Sequence, residues 1–161
     1  MLSLLSFLQA SPLGHFMRES SVWTYAVVNL AHILGISSLF GSVLALDLRL
    51  MGAWRHVPLS SIASTASPIA MTGFVLAAAS GIGMLSANGT DYVGNPFLLV
   101  KFPAIGLGLL NALVIRRSNA WRVSHTRQLT PPEQRQLKVM GGTSLACWLT
   151  AITAGRMIGY W

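Results

Sequence analysis

Four apolar runs, each long enough to cross a bilayer, constrain this chain more than any other feature of it. A hydrocarbon core about 30 Å thick takes about 20 helical residues at about 1.5 Å rise each. The runs extend over about 22–50, 59–87, 97–115 and 139–161. The first is longer than a span requires, which predicts a tilted helix or one that continues past the interface. Lipid offers the backbone no hydrogen-bond partners, so such runs predict helices. The expected fold is all-α, a polytopic membrane four-helix bundle. Residues 1–161 form a single membrane domain in this reading, with residues 1–18 as a short N-terminal interfacial helix.

Charge is scarce and one-sided. Only 9% of residues are charged, against about 25% in soluble domains. Eleven Lys and Arg oppose four Asp and Glu, a balance that in a soluble protein would suggest nucleic acid. Here Arg116, Arg117, Arg122, Arg127, Arg135 and Lys138 gather in one connection between apolar runs. That is the pattern of a cytoplasmic loop under the positive-inside rule. The partner it implies is the lipid bilayer, and no nucleic acid. The turn at 52–58 carries Arg55 and His56, whereas 88–96 has turn chemistry in Asn88-Gly89 and Asn95-Pro96 without a basic residue. Basic first and third loops around an acidic second one put both termini on the periplasmic side. Pro131-Pro132-Glu133 reads as a helix start.

Ahead of the first span, Leu4, Leu5, Phe7 and Leu8 fall near one face, and Pro12-Leu13-Gly14 interrupts the run. A short helix on the outer surface fits this pattern. Met1 to Ala10 lacks the basic start of a cleavable signal and is read as mature protein. Trp23, Tyr25, Tyr92, Tyr160 and Trp161 fall near expected outer ends and Trp54 and Trp121 near inner ends, forming an aromatic belt. The single Cys147 excludes an intrachain disulfide, a CxxC motif and covalent c-type heme attachment. Asn88-Gly89-Thr90 matches a glycosylation acceptor only as a short pattern, and Gly81-Ile82-Gly83 has neither the strand nor the Lys of a nucleotide loop. No serine, histidine and aspartate are spaced as a triad.

Small residues recur at Gly35, Ser38 and Ser42, at Gly73, Ala77 and Gly81, and at Gly142, Ala146 and Thr150. Stripes of this kind let helix backbones approach in lipid. Pro68 and Pro103 are expected to kink their spans, because each removes an intrahelical donor.

An ionisable group at the centre of a span costs about 2.5–3.5 kcal/mol on insertion scales. His32, Asp47, Arg49, Lys101 and Arg156 therefore need a reason. Asp47 and Arg49 lie at the inner end of span one, two residues apart and on different faces. Asp47 is expected to meet a basic residue on another helix or in the first loop, as an interface clamp or as a site of proton uptake. His32 lies about 15 Å below the outer end of its span, and Lys101 and Arg156 about 6–8 Å below theirs. An anionic ligand would offset the burial of those cations.

Heme b fits this layout, with His32 as the axial metal ligand and the propionates on Lys101 and Arg156. The offset of about 8 Å between the two levels follows from helix rise and matches the reach of the group. A sixth ligand is open between His15, a methionine among Met71, Met84, Met140 and Met157, a second subunit, or none. Those methionines otherwise read as packing residues. His56 and His125 belong to inner loops.

The segment from Arg18 to Gly52, with Trp23, Tyr25, His32-Ile33-Leu34-Gly35, Gly41 and Asp47-Leu48-Arg49-Leu50-Met51-Gly52, resembles a family of small uncharacterised bacterial four-span inner-membrane proteins. Tyr92, Asn95-Pro96-Phe97, Lys101, Asn111 and Gly155-Arg156 extend the likeness over most of the chain. More loosely, the chain is similar to membrane cytochromes b and copper-resistance-type membrane domains. The resemblance implies a bacterial inner-membrane location and transfers no activity.

Two functions follow as expectations. One is a heme b-binding electron-transfer protein that exchanges electrons with quinol, and hence quinone, or with a periplasmic partner. The other is a non-redox transporter, channel or assembly subunit that binds an anion at the outer side. In that case Asn29, Asn111 and the Ser and Thr residues of span two line a polar path. Either would act as a homo-oligomer or as a subunit of a membrane complex.

Overall fold

A computed structural model describes residues 2–124 and 126–161 of the chain. His125 lies outside the described residues. Among those described, 86% are helical and none forms a strand. In chain order the helices are α1 (Leu2–Ala10), α2 (Pro12–Glu19), α3 (Val22–Met51), α4 (Leu59–Ala87), α5 (Pro96–Arg117), α6 (Asn119–Val123) and α7 (Pro131–Met157). Short 3-10 turns at Gly89–Tyr92 and Ile158–Tyr160 complete the order.

Three of these helices, α3, α4 and α5, are long and apolar enough to cross a membrane. Their outward residues explain why lipid suits them: Leu30 and Ile33 on α3, Val75 and Ile82 on α4, and Leu107 and Leu110 on α5 are all exposed. A helix that is apolar on its outer face as well as its inner one has no favourable contact with water. Pro68 and Pro103 lie inside α4 and α5 without ending either helix.

Helix α7 starts at Pro131 rather than at Val139, where the apolar run begins. The carboxylate of Glu133 accepts from the backbone N–H and the hydroxyl of Thr130, at 2.8 and 2.9 Å. Donors orphaned at a helix start are satisfied in this way, and the proline at the first helical position has no N–H to orphan. Gly52 and Trp54 at the α3 end both have positive φ, 111° and 47°, which turns the chain toward α4.

The chain divides into two compact units. The first holds the chain as far as Leu39 together with Ala70–Asn95, and the second holds Phe40–Ile69 and Pro96–Trp161. The boundaries fall inside α3 and α4.

In the first unit, α1 and α2 bury Leu5 and Met17 and leave Leu4, Phe7 and Phe16 exposed. Ser11 caps α2 by accepting from the Gly14 N–H at 3.2 Å. Arg18 then ties the unit together. Its Nη1 donates to the carbonyls of Gln9 at 2.8 Å, Ala87 at 3.4 Å and Ser86 at 3.5 Å. These are terminal carbonyls of α1 and α4, which lack intrahelical partners and sit at the negative end of the helix dipole. The Gln9 side chain accepts from the Thr90 N–H at 2.7 Å, fixing the turn after α4 on α1.

The second unit has a core of Leu50, Leu59, Ile115, Ala120 and Leu137, with Leu46, Trp121, Leu129 and Met140 against it. Helix α5 runs along α7, and Gly108 makes room for the ring of Trp148: a Cβ there would sit 3.2 Å from Cε2. The buried face of α7 is Leu137, Gly141, Ser144, Trp148, Ala151 and Ala154. This corrects the stripe expected at Gly142, Ala146 and Thr150. Ala146 and Thr150 are exposed, and a Cβ on Gly142 would meet nothing within 4 Å. Burying Leu137 and Trp148 turns the helix so that Gly141, not Gly142, faces inward.

Candidate functional site

The polar residues of the spans fall into three groups. The first is built on His32, in the first unit. Its Nδ1 lies 2.8 Å from the carbonyl oxygen of Ala77 and 3.1 Å from the Ser80 hydroxyl, both on α4. The Ser80 hydroxyl has its own closest acceptor in the Leu76 carbonyl. A Cβ on Gly81 would lie 3.0 Å from Cε1 of the imidazole, so the glycine leaves the space the ring occupies. One turn further along, α3 and α4 come into backbone contact: a Cβ on Gly35 would be 2.6 Å from the Ala77 nitrogen. The ring is half-buried and sits beside the tightest part of that crossing.

A carbonyl oxygen can only accept, so the short contact to Ala77 assigns the hydrogen to Nδ1. In the neutral ring the lone pair then belongs to Nε2. His15, the other histidine of this unit, is exposed on α2, with Nδ1 3.5 Å from Glu19 Oε1. Tyr92 closes the α4 end of the unit. Burial raises its phenol above the ordinary range, and the nearby Tyr25 and Asp91 add to that.

The second group lies at the C-terminal end of α7, in the second unit. Lys101 of α5 is partly buried against Gly155, where a Cβ would be 3.3 Å from its Nζ. Arg156 is exposed; its guanidinium stacks on Tyr160, 4.9 Å from the ring centroid, and Nη2 donates to the Tyr160 hydroxyl. The structure thus brings Lys101 beside the residue that precedes Arg156, and His32 belongs to the other unit.

The third group is Asp47, Ser144 and Asn111, also in the second unit. Asp47 is 2% exposed and is hydrogen-bonded to the Ser144 side chain. The expected basic partner is not there: among the described residues the ion pairs are His15 with Glu19 and Arg127 with Glu133. Arg49 instead donates from Nε to the Val57 carbonyl at 2.8 Å, closing the α3–α4 turn. The turn takes it because a guanidinium two residues on from Asp47 points to another face of the helix. Asn111 donates to the Met140 carbonyl at 2.9 Å. Asn111 and Asp47 stand out in the sequence as polar residues in apolar runs. Ser144 and Arg18 do not, because a serine in a span and an arginine before one are both ordinary.

Among the described residues, no three His, Cys, Asp or Glu side chains converge to hold a metal ion. A porphyrin supplies four nitrogens of its own and asks a protein for only one or two.

Fold and polar groups together define an all-α protein with three helices able to cross a membrane. The chain belongs to the family of unknown function DUF6644, whose model matches residues 5–161. No curated protein and no solved structure matches it. The likeness to an uncharacterised family therefore holds, and nothing in these comparisons ties the chain to membrane cytochromes b or copper-resistance domains.

Proposed function

We propose that this is a four-span protein of the bacterial inner membrane that holds heme b on His32 and passes electrons between quinol and a periplasmic partner. The observation that carries the reading is the contact between His32 Nδ1 and the Ala77 carbonyl. Histidines that ligate metals almost always donate their other ring N–H to a carbonyl or carboxylate, which fixes the tautomer and raises the basicity of the ligating nitrogen. Gly81 supports the same orientation by leaving room for the ring edge. The close backbone approach at Gly35 and Ala77 leaves no slot between α3 and α4, so the porphyrin would approach the ring from outside that crossing. Bound there, the heme would supply the one-electron chemistry, and the protein would hold the axial nitrogen in place.

The test is the absorption spectrum of detergent-purified protein from heme-replete cells, with and without dithionite. A Soret band that His32→Ala abolishes is expected. Colourless protein that takes up no added hemin sinks the reading.

The four-span count, with both termini periplasmic, draws on α7, whose second half is apolar, and on the basic residues between α5 and its midpoint. Reporter fusions at Asn88 and Gln128 check it. High alkaline phosphatase activity at Gln128 with none at Asn88 would reverse the orientation.

The second reading, a non-redox transporter, channel or assembly subunit that binds an anion, is favoured by Lys101 lying against Gly155 beside Arg156. Under it, colourless protein would gain thermal stability with added phosphate or carboxylate. Lys101→Ala would remove that gain, and an equal gain in the variant would dismiss the site.

A further inference from the structure

The inner half of α3 carries a carboxyl that the heme reading does not use. Asp47 is 2% exposed and Ser144 is 4% exposed. The Oδ2 atom of Asp47 is buried and has no hydrogen-bond partner, so the Ser144 contact falls on the other oxygen. The charged groups on neighbouring elements are engaged elsewhere or exposed. Arg49 bonds the Val57 carbonyl and Arg55 the Gly52 carbonyl. His56 in the turn, Arg116 and Arg117 on α5, Arg122 on α6, and Arg135 and Lys138 on α7 are all exposed. None forms an ion pair with Asp47.

Polar atoms nevertheless run in a line to this carboxyl. Asn111 donates to the Met140 carbonyl, and helix geometry gives the same carbonyl to the Ser144 N–H four residues on. The Ser144 side chain then meets Asp47. Gly141 permits the approach, since a Cβ there would lie 3.0 Å from both the Asp47 carbonyl oxygen and the Leu50 Cβ. The same helices carry Leu50 and Leu137 of the apolar core, with Leu46 and Met140 packed against it.

An ionised carboxylate left in such a place, with one bare oxygen and no cation, would lose its hydration without replacement. A carboxylic acid loses much less. Its carbonyl oxygen accepts from the serine, and the oxygen that lacks a partner carries the hydrogen.

We propose that Asp47, braced by Ser144, is a proton-binding site: it holds a proton while α3 and α7 are packed together and releases it when that contact opens to water. Proton release and helix separation are thereby linked, and linkage is reciprocal. A protonmotive input could drive the opening, or an opening could move a proton. The site stands whether or not heme binds.

Infrared spectroscopy of the full-length protein at neutral pH tests this. The sequence has four carboxyl side chains, Glu19, Asp47, Asp91 and Glu133. Glu19 and Asp91 are exposed and Glu133 is paired with Arg127, so a protonated-acid C=O band at neutral pH belongs to Asp47. The band is expected in the wild type, lost in Asp47→Asn, and moved to higher frequency in Ser144→Ala, where the carbonyl loses its donor. Absence of the band, or its survival in Asp47→Asn, overturns the proposal. If Asp47→Asn does not fold, Ser144→Ala decides, because a band it leaves unmoved belongs elsewhere.

Discussion

Gly35 and Gly73 face each other across α3 and α4 as a reciprocal pair: a Cβ on Gly35 would lie 2.9 Å from the Gly73 carbonyl oxygen, and one on Gly73 would lie 2.8 Å from that of Gly35. Both obstacles are backbone, which has little freedom to retreat. Lipid tails give helices no hydrophobic reason to associate, so this contact area supplies much of the drive for α3 and α4 to pair within the first unit.

Gly35→Ala and Gly73→Ala should each destabilise the protein by about 1–3 kcal/mol, the usual cost of overpacking. Gly41→Ala is the matched control, because a Cβ there meets nothing within 4 Å. Thermal unfolding in detergent would show the difference, and equal midpoints for all three variants would contradict the close crossing.

Gly81 and His32 should be coupled. Gly81→Ala places a methyl 3.0 Å from the imidazole Cε1, so it should destabilise the wild type by about 1–3 kcal/mol and displace the ring. In a His32→Ala background the obstacle is gone, and the same change should be close to neutral. A double-mutant cycle measures this interaction directly. Additive effects would mean that the ring does not occupy that space.

Arg18→Ala removes three bonds to carbonyls at the ends of α1 and α4. Hydrogen bonds to a charged group contribute about 1.5–3 kcal/mol each when unshared. One Nη1 shared among three acceptors delivers nearer one such bond than three. The expected phenotype is local: limited proteolysis should cut before α3 in Arg18→Ala and leave the wild type intact, with α5 and α7 unaffected.

Glu133 gives a pH dependence of known sign. Hydrogen bonds from Arg127 first, then from the Thr130 backbone and hydroxyl, lower its carboxyl from the ordinary 4.5 to about 2. The folded state therefore favours the ionised form. The stabilisation is complete above 4.5 and disappears as pH falls through about 2. Glu133→Gln lacks it at every pH, so the midpoint difference between variant and wild type should narrow over that interval. A difference that stays constant across it would reject the pairing. The pair is exposed enough that added salt should reduce the effect.

Helix limits were legible wherever a long apolar run ended in a turn. The second span, read at 59–87, is α4 to the residue, and the first differs from α3 by one residue. Pro131-Pro132-Glu133 marked the true start of α7, although the apolar run alone pointed to Val139. Partner choice was much less visible. His32 pairs with a main-chain carbonyl, which every residue has, so its partner leaves no mark in composition. Asp47 pairs with Ser144 instead of a cation because α7 is turned by one residue from the stripe that periodicity suggested. One residue is about 100° on a helix, enough to exchange every neighbour.

The Arg18 clasp also orders events during biosynthesis. Its acceptors lie on both sides of it in the chain, Gln9 already made and Ser86 and Ala87 still to come. A nascent chain leaving the ribosome can pair Arg18 with Gln9 at once. It cannot complete the clasp until almost 70 further residues, including α3 and α4, have been delivered to the membrane. Until then α1 and α2 are held only to each other. The N-terminal helices would settle only after α3 and α4, as a latch closed once the hairpin behind them has been inserted.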